Sequence, residues 1–471
     1  MPSLLMVFLF GIGFLVVWLS LAGAALLILI HRPLAEWGVT TFIQYAWFFC
    51  DRIQDPLFLS GLLAFVGITL PIAWFLHGRE KPLYGTAKLA SLFDTRKAGL
   101  FAERGIVLGK KGGKLLVFGG AQHVLMSAPT RSGKGVGIVI PNLLHWQDSV
   151  VVLDIKQENW NITSRYRAKA LKQNCYLFNP AAADGRSHRY NPLTYIERGD
   201  PGKRIDDVHK IAGMLFPDRE GTDVIWTATP RALFTGIVSL LLDLEGESGA
   251  PPVTIGQVLR ESLKDGDGAQ YFAGLLDERK REGKPLSEAT LAGLNSYISI
   301  QSENTRAGVL GSFRSRLEIW LNPLVDAATA GNDFDLRELR TKPMSVYLGV
   351  TPDNLDRMGP VLNLFFQQLI DLNTRSLPGY GEKGKHQCLL LMDEFPSLGK
   401  VSILNKGIAY IAGYGLRMLP IIQSPSQLVD VYGRDAAQTF QSNHAVSIIF
   451  PPKASETQTA RDISELSLIH I

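Results

Sequence analysis

The stretch His123-Val124-Leu125-Met126-Ser127-Ala128-Pro129-Thr130-Arg131-Ser132-Gly133-Lys134-Gly135-Val136-Gly137 decides how the rest of this chain is read. Residues 123–127 form a short apolar run, a glycine-rich turn follows, and Val136 to Leu144 is apolar again. A strand, a glycine-rich turn and a helix in that order aim backbone N–H groups at a phosphate. The phosphate-loop pattern is G-x-x-x-x-G-K-[ST]. Gly133-Lys134 are in place, while Ala128 stands for the first glycine and Gly135 for the Ser/Thr. Gly133, Gly135 and Gly137 permit close backbone approach, and Lys134 supplies the charge that reaches the β- and γ-phosphates. Thr130, Arg131, Ser132, Gly133, Lys134, Gly135 and Val136 are therefore expected to line an ATP site. Without a hydroxyl at 135, Mg²⁺ would rest on phosphate oxygens, water and a downstream acid; Thr130 or Ser132 substitutes only if the loop geometry differs. The plain alternative is a glycine-rich turn entering a helix.

The downstream acid is supplied by Cys388-Leu389-Leu390-Leu391-Met392-Asp393-Glu394, an apolar strand ending in two carboxylates. In open α/β sheets ligands sit at the carboxyl ends of the strands. Asp393 is placed there as the metal ligand and Glu394 as the base that polarises the attacking water. Strand-end acids also cap helices, and the loop upstream favours catalysis. Thirty positions on, Leu419-Pro420-Ile421-Ile422 ends at Gln423, whose amide can contact the γ-phosphate or the lytic water. Asp154, ending the run Ser149–Leu153, and Lys156 are candidates to line the same site. Arg314, Arg316 and Arg417 are candidate arginine fingers, and nothing in the sequence chooses among them.

Around these motifs the chain alternates apolar strands with helices. Cys175–Phe178, Ser345–Val350, Leu419–Gln423 and Val446–Phe450 add Val/Ile/Leu-rich runs of strand length. Continuous apolar runs spaced by helices predict a parallel sheet covered on both faces. The fold class expected is α/β, with a nucleotide-binding core split between residues 78–199 and 341–471. Residues 200–340 read as an inserted all-α domain, with helices over Ile225–Leu244, Ala269–Glu282 and Leu286–Trp320.

The chain has 471 residues, 46% of them hydrophobic and 20% charged, and its net charge is +4. That composition excludes a wholly disordered chain, and the small charge excess leaves the partner open. Cys50, Cys175 and Cys388 form neither a zinc spacing nor a disulfide framework. The apolar excess sits at the start: residues 4–30 carry no charge, nor do Leu57 to Leu76. A spanning helix needs about 20 such residues. A cleaved signal peptide fits poorly, because no basic side chain leads the first run. Residues 1–77 are therefore expected to be a transmembrane anchor with a short periplasmic loop at 31–56. Arg79, Lys81, Lys88, Arg96 and Lys97 follow the second run, so the positive-inside rule puts the large body in the cytoplasm. In the loop, Trp37, Phe42, Tyr45, Trp47 and Phe48 suggest either an interfacial helix or a packed turn.

Taken together, these motifs resemble the TraG-like type IV secretion coupling proteins. The resemblance is carried by the two N-terminal runs, Tyr84-Gly85-Thr86-Ala87-Lys88, Gly105-Ile106-Val107-Leu108-Gly109, the extended phosphate loop 128–144, Asp154-Ile155-Lys156, Tyr190-Asn191-Pro192-Leu193, Leu391–Phe395 and Ile422-Gln423-Ser424. That branch also carries glycine where Gly135 stands. The resemblance implies a RecA/FtsK-like P-loop NTPase core with an inserted all-α domain and a two-helix anchor in the bacterial inner membrane. It implies a homohexameric ring that uses ATP and Mg²⁺ and sits among membrane lipid. Such a ring recruits a relaxase, with other relaxosome proteins, on single-stranded DNA, and hands it to the channel components. By matching position, Lys134 is the phosphate-binding lysine, Asp393 the magnesium acid, Glu394 the base and Gln423 the sensor. Two other readings compete: a coupling ATPase for protein effectors alone, and a nucleotide-binding docking adaptor without motor activity. The apolar ending Ser467–Ile471 suggests a shortened chain in which a longer tail's contacts are missing.

Overall fold

The computed structural model describes residues 4–76, 90–218, 221, 223–264, 268–378, 386–451 and 460–461. The Tyr84–Lys88 motif, the cations Arg79, Lys81 and Lys88, and the apolar ending at 467–471 lie outside the described residues. The chain divides into two compact units, residues 1–87 and Lys88–His470.

In the first unit, α1 (Leu4–Leu29) and α3 (Gln54–Leu76) flank a short α2 (Thr41–Phe49). Helix α3 starts before the uncharged run, because Pro56 in a first turn costs the helix nothing. Trp18 Nε1 donates to the Gly61 carbonyl at 3.0 Å, and the Phe14 and Phe65 rings meet edge to face. Phe42 of α2 packs on Trp18, whereas Trp47 and Phe48 stay 82% and 73% exposed. The loop therefore contains a helix that is packed on one side and open on the other.

The second unit opens with α4 (Leu92–Lys97) and the antiparallel hairpin β1 (Ile106–Lys111) and β2 (Lys114–Phe118). Next come β3 (His123–Ser127), α5 (Ile140–His145), β4 (Ser149–Leu153), α6 (Glu158–Lys169) and β5 (Asn174–Phe178). Seven helices follow: α7 (Pro201–Leu215), α8 (Ile225–Leu244), α9 (Ile255–Ser262), α10 (Gly268–Arg281), α11 (Glu288–Ile298), α12 (Glu303–Leu317) and α13 (Pro323–Ala328). The chain then returns through β6 (Met344–Leu348), α14 (Leu355–Asn373), β7 (Cys388–Met392), α15 (Ser402–Gly407) and β8 (Leu416–Ile422). It ends in α16 (Ser426–Tyr432), α17 (Arg434–Ser442) and β9 (His444–Ile449).

Strands β3 to β9 form one parallel sheet in the order β5-β6-β4-β7-β8-β3-β9. Successive residues of its strands enter different cores. Val150, Val152, Leu389 and Leu391 pack in one, and Val151, Leu153, Leu390 and Met392 in the other. The period-2 pleat thus explains why these strands are apolar throughout, since both faces are covered.

The hairpin β1–β2 is an element the apolar pattern did not separate. It is bound to the sheet by polar side chains. Asn142 accepts the Val107 N–H at 2.8 Å and donates to the Val107 carbonyl at 2.9 Å, as a neighbouring strand would. The expected helix over Leu286–Trp320 is two helices, broken between Ile298 and Glu303, where Ser302 caps the second by accepting the Thr305 N–H. Helices α8 and α11 meet at Gly236 and Gly293, where a Cβ on Gly293 would lie 2.4 Å from the Gly236 Cα. Among the described residues three helical stretches are long and apolar enough to cross a membrane: Gly11–Leu29, Gln54–Trp74 and Ile225–Leu244. The third is 67% buried inside the fold, against 22% and 28%, which makes α8 a core helix.

Two buried polar groups give this unit measurable signatures. The Arg167 side chain is fully buried and donates to the carbonyls of Leu143, Trp146 and Asp148, to Gln173 Oε1 and to Ser345 Oγ. Removing it takes a donor from five acceptors, of which Gln173 Oε1 and the Asp148 carbonyl keep another, so Arg167→Ala should cost about 3 kcal/mol, and Arg167→Lys, with one ammonium for five acceptors, should recover only part. Chemical denaturation of the three proteins checks this order.

His123 and His444 lie side by side in the sheet, ring centroids 5.8 Å apart. Burial pushes them down to about 4 and about 3. Unfolded, both titrate near 6.5. The native state therefore binds fewer protons below that value, and stability present above about pH 6.5 drains away as the pH falls towards 4. Melting temperatures across this range should show the loss, and His444→Phe should flatten it; an unchanged slope in the variant would refute the assignment.

Candidate active site

Because β8 lies between β7 and β3, the three chain segments leaving their carboxyl ends converge. Pairing continues past the strands, with the Ala128 N–H donating to the Ile422 carbonyl at 2.9 Å. Lys134 Nζ lies 2.9 Å from Asp393 Oδ1 and 2.6 Å from Glu394 Oε1. Gln423 Nε2 donates to the other Glu394 oxygen, Oε2, at 3.1 Å. Four side chains from three strand ends thus form one connected cluster, all of them half-buried.

Burial alone would pull the Lys134 ammonium down, but the Asp393 and Glu394 carboxylates outweigh it and hold the group above its ordinary value. Burial would likewise push Glu394 up, and the hydrogen bonds from Lys134 and Gln423, with the charges of Lys134 and Lys156, hold it below the usual carboxylate range. Both groups are ionised at neutral pH.

The loop itself is built from unusual backbone. Arg131 and Gly133 have φ of +62° and +85°, and Glu394 across the site has +55°. Such residues at positive φ cluster where a ligand is clamped. A Cβ added at Gly133 or Gly135 would meet nothing within 4 Å, so the cradle above the loop is open. Ser132 Oγ is buried there without a hydrogen-bond partner. After the loop, residues Gly135–Val139 make a π turn before α5. Pro141, lacking an N–H, would clash with the carbonyl four residues back, and the wider turn relieves that. Val136 and Arg131 are exposed beside the cradle, as is Thr130.

The open cradle, the unpartnered hydroxyl, the lysine at its base and the two strand-end acids fit a nucleotide phosphate with a divalent cation. Among the described residues no group of three or more His, Cys, Asp or Glu side chains could hold a metal by itself. Asp393 would therefore share the cation with phosphate oxygens and water.

Some expected residues sit elsewhere. Asp154 is buried, and its carboxylate accepts the N–H groups of Asn159 and Trp160, capping α6 instead of lining the cradle. Burial pushes it up to about 6 against those hydrogen bonds, and the Asp393 charge adds to the rise. Lys156 is exposed and reaches the cluster only through its charge on Glu394. Arg417 is fully buried at the opposite end of β8, donating to the carbonyls of Gln122, Phe118 and Gly119. Burial lowers it to about 10. It cannot reach a neighbouring subunit, because it is bonded into the sheet. Arg314 donates to the Ser262 carbonyl among the inserted helices. Ser397 escaped the sequence reading: its N–H and Oγ both donate to the Glu394 carbonyl and hold that residue's left-handed turn. A short polar residue three positions after Glu394 is the only signal it left.

A family model described as type IV secretory system conjugative DNA transfer matches residues 88–467. The chain belongs to that family. Among relatives, the chain is 34% identical to protein VirD4 of Agrobacterium fabrum over 418 residues, which cover 86% of this chain and 60% of VirD4. It is 30% identical to the conjugal transfer protein TraG of Escherichia coli over 432 residues, covering 82% and 64%. The chain thus spans about 60% of the length of these curated relatives. In fold it is similar to the plasmid coupling protein TrwB in complex with ADP and Mg²⁺ (TM-score 0.56, 19% identity, 82% of this chain and 85% of that one). It is also similar to the trigonal form of TrwB with sulphate (TM-score 0.58, 20% identity, 81% and 82%). The expected parallel α/β core is present.

The loop backbone gives a direct test. Gly133 is glycine for its conformation, since space around it is free. Gly133→Ala should lower stability by about 1–2 kcal/mol, whereas Gly135→Ala, with no positive φ, should be neutral or slightly stabilising. Thermal melts of the two variants should separate them in that order.

Proposed function

We propose that this chain is an inner-membrane, ATP-hydrolysing coupling protein that recruits relaxase-bound single-stranded DNA and delivers it to a type IV secretion channel. The observation that carries this reading is the convergence of Lys134, Asp393, Glu394 and Gln423 at one end of the parallel sheet, on an open phosphate cradle. Membership of the conjugative DNA transfer family, and the complex of the structurally similar TrwB with ADP and Mg²⁺, support the same chemistry.

In this reading, residues Thr130 to Val136 wrap the phosphates of ATP, Asp393 holds Mg²⁺, and Glu394 accepts a proton from the attacking water. Bound Mg-ATP supplies the phosphoanhydride whose hydrolysis drives transport. Lys134 has two uses. In the structure its ammonium neutralises both carboxylates. Turning towards phosphate would release Glu394, held then by Gln423 alone at 3.1 Å. Losing its nearest cation raises the proton affinity of Glu394, which makes it a better base. Helices α1 and α3 serve as the membrane anchor, and the cations after α3 keep the main body in the cytoplasm. The helices between 200 and 340 act as the all-α domain of a homohexameric ring, between the two parts of the nucleotide-binding domain, 78–199 and 341–471.

Steady-state ATP hydrolysis by the detergent-solubilised chain, with and without single-stranded DNA, tests the reading. Hydrolysis should rise with DNA, vanish in Lys134→Ala, and fall by at least about 100-fold in Glu394→Gln while nucleotide binding survives. Binding without hydrolysis in the unaltered chain would support the docking adaptor instead. Hydrolysis indifferent to DNA but stimulated by a protein substrate would support transport of effectors alone.

A further inference from the structure

Residues 90–119 carry six cations, Arg96, Lys97, Arg104, Lys110, Lys111 and Lys114, against two carboxylates, Asp94 and Glu103. The excess of four equals the net charge of +4 of all 471 residues. The Asp94 carboxylate is already engaged, accepting from the Ser91 N–H and Oγ in the capping box of α4. The segment is therefore a local cationic surface on an otherwise balanced chain.

The same segment exposes apolar side chains. Phe93 is 74% exposed, Leu92 51% and Leu115 46%. Folding brings α4 and the hairpin turn together: Leu92, Phe93, Arg96, Phe101, Gly112 and Lys114 line one cavity of about 430 Å³. Lys111 ties the turn to the start of α4 by donating to the Ala90 carbonyl. Gly112 and Gly113, at φ of +55° and +80°, make the tight two-residue turn that keeps β1 and β2 in register. The outcome is a preformed face of exposed aromatic and aliphatic groups ringed by lysine and arginine.

We propose that this face, α4 with the β1–β2 turn, docks on the headgroups of anionic phospholipid in the membrane that the N-terminal helices enter. Phe93 and Leu92 enter the interfacial region while Arg96, Lys97 and Lys114 meet phosphate. This is the division of labour of an interfacial amphipathic surface. The occupant follows from charge and chain continuity. Leu92 follows the last residue of α3 by only sixteen positions. A second copy presenting the same face would set an excess of four positive charges against another, which like-charge repulsion disfavours. The proposal rests on the membrane-anchor reading of α1 and α3, and its test separates the two.

The full chain carrying Cys50→Ser and Phe93→Cys is labelled with the environment-sensitive fluorophore NBD, beside Cys50→Ser alone as the labelling control. It is reconstituted into vesicles of phosphatidylcholine, or of phosphatidylcholine with phosphatidylglycerol. The emission should shift to the blue with phosphatidylglycerol, be quenched by nitroxide-bearing lipid, and revert in about 1 M salt, where the Debye length is about 3 Å. Replacing Arg96 or Lys114 by Gln should lower the docked fraction about fivefold each, with hydrolysis of ATP retained. A water-exposed emission in phosphatidylglycerol vesicles overturns the proposal, as does a blue shift independent of lipid charge. A blue shift already present in detergent that follows protein concentration and ignores nitroxide lipid overturns it in favour of self-association. Resistance of the protein to alkaline carbonate extraction reads the anchor separately: loss of the protein from the vesicles would refute the anchor, while the salt-sensitive NBD signal still decides docking.

Discussion

Lys134 meets a carboxylate 260 residues away in the chain, and it does so only because the sheet inserts β8 between β3 and β7. That strand order sets the spacing of everything at the carboxyl edge. With β7 beside β3, the lysine would have to fold back over its own loop to reach two acids. With two strands between them it would fall short. One intervening strand leaves a gap that a lysine side chain spans, and puts Gln423 in the middle of it. The charge cluster is therefore a property of topology, expressed through three short segments that each just leave a strand.

The opposite edge of the sheet holds by different means. There the chain makes loops and a hairpin whose outward backbone groups are not paired with the seven-stranded sheet, and burying such groups unpaired would be costly. Three side chains satisfy them. Arg167 gathers the carbonyls around Leu143 to Asp148, Arg417 those of Phe118 to Gln122, and Asn142 both backbone groups of Val107. Neither arginine has a carboxylate partner in these contacts; each is a buried cation surrounded by carbonyl dipoles, and Arg417 also lies over the Phe118 and Trp146 rings. These pins hold the amino ends of β3, β4 and β8 together, so the carboxyl ends leave the sheet at constant separation. Preorganisation of the carboxyl edge thus begins on the far side of the sheet.

How far the sequence could be read depended on the range of the interaction responsible. The strands β3, β4 and β7 were legible because burial on both faces demands apolar runs. The glycine-rich loop, the strand-end acids and Gln423 were legible as local patterns of glycine, lysine and carboxylate, and the strand order brings them together. Asp154 shows the limit. It ends a strand as Asp393 does, in the same sheet, yet its oxygens accept two N–H groups in the first turn of α6. Arg417 shows it again: nothing local distinguishes an arginine free to reach another subunit from one that bonds three carbonyls. The hairpin β1–β2 escaped because its strands are short, partly exposed and end in glycine and lysine, although Ile106 is buried in the core and Asn142 and Arg417 bond to its backbone.

The sequence by itself determined the α/β class, the two uncharged N-terminal runs, the glycine-rich loop and the strand-end acids, all of which leave marks in short stretches of the chain. It also placed α8 among apolar helices of spanning length, and tertiary structure alone showed that its apolar surface faces other helices. Tertiary structure alone decided the strand order, the left-handed turn that Ser397 imposes on Glu394, and the sharing of Lys134 between two carboxylates. The physical reason is common to them. Burial and backbone preference act along the chain and leave periodic marks, whereas hydrogen bonds and ion pairs between distant segments depend on where the sheet sets them down.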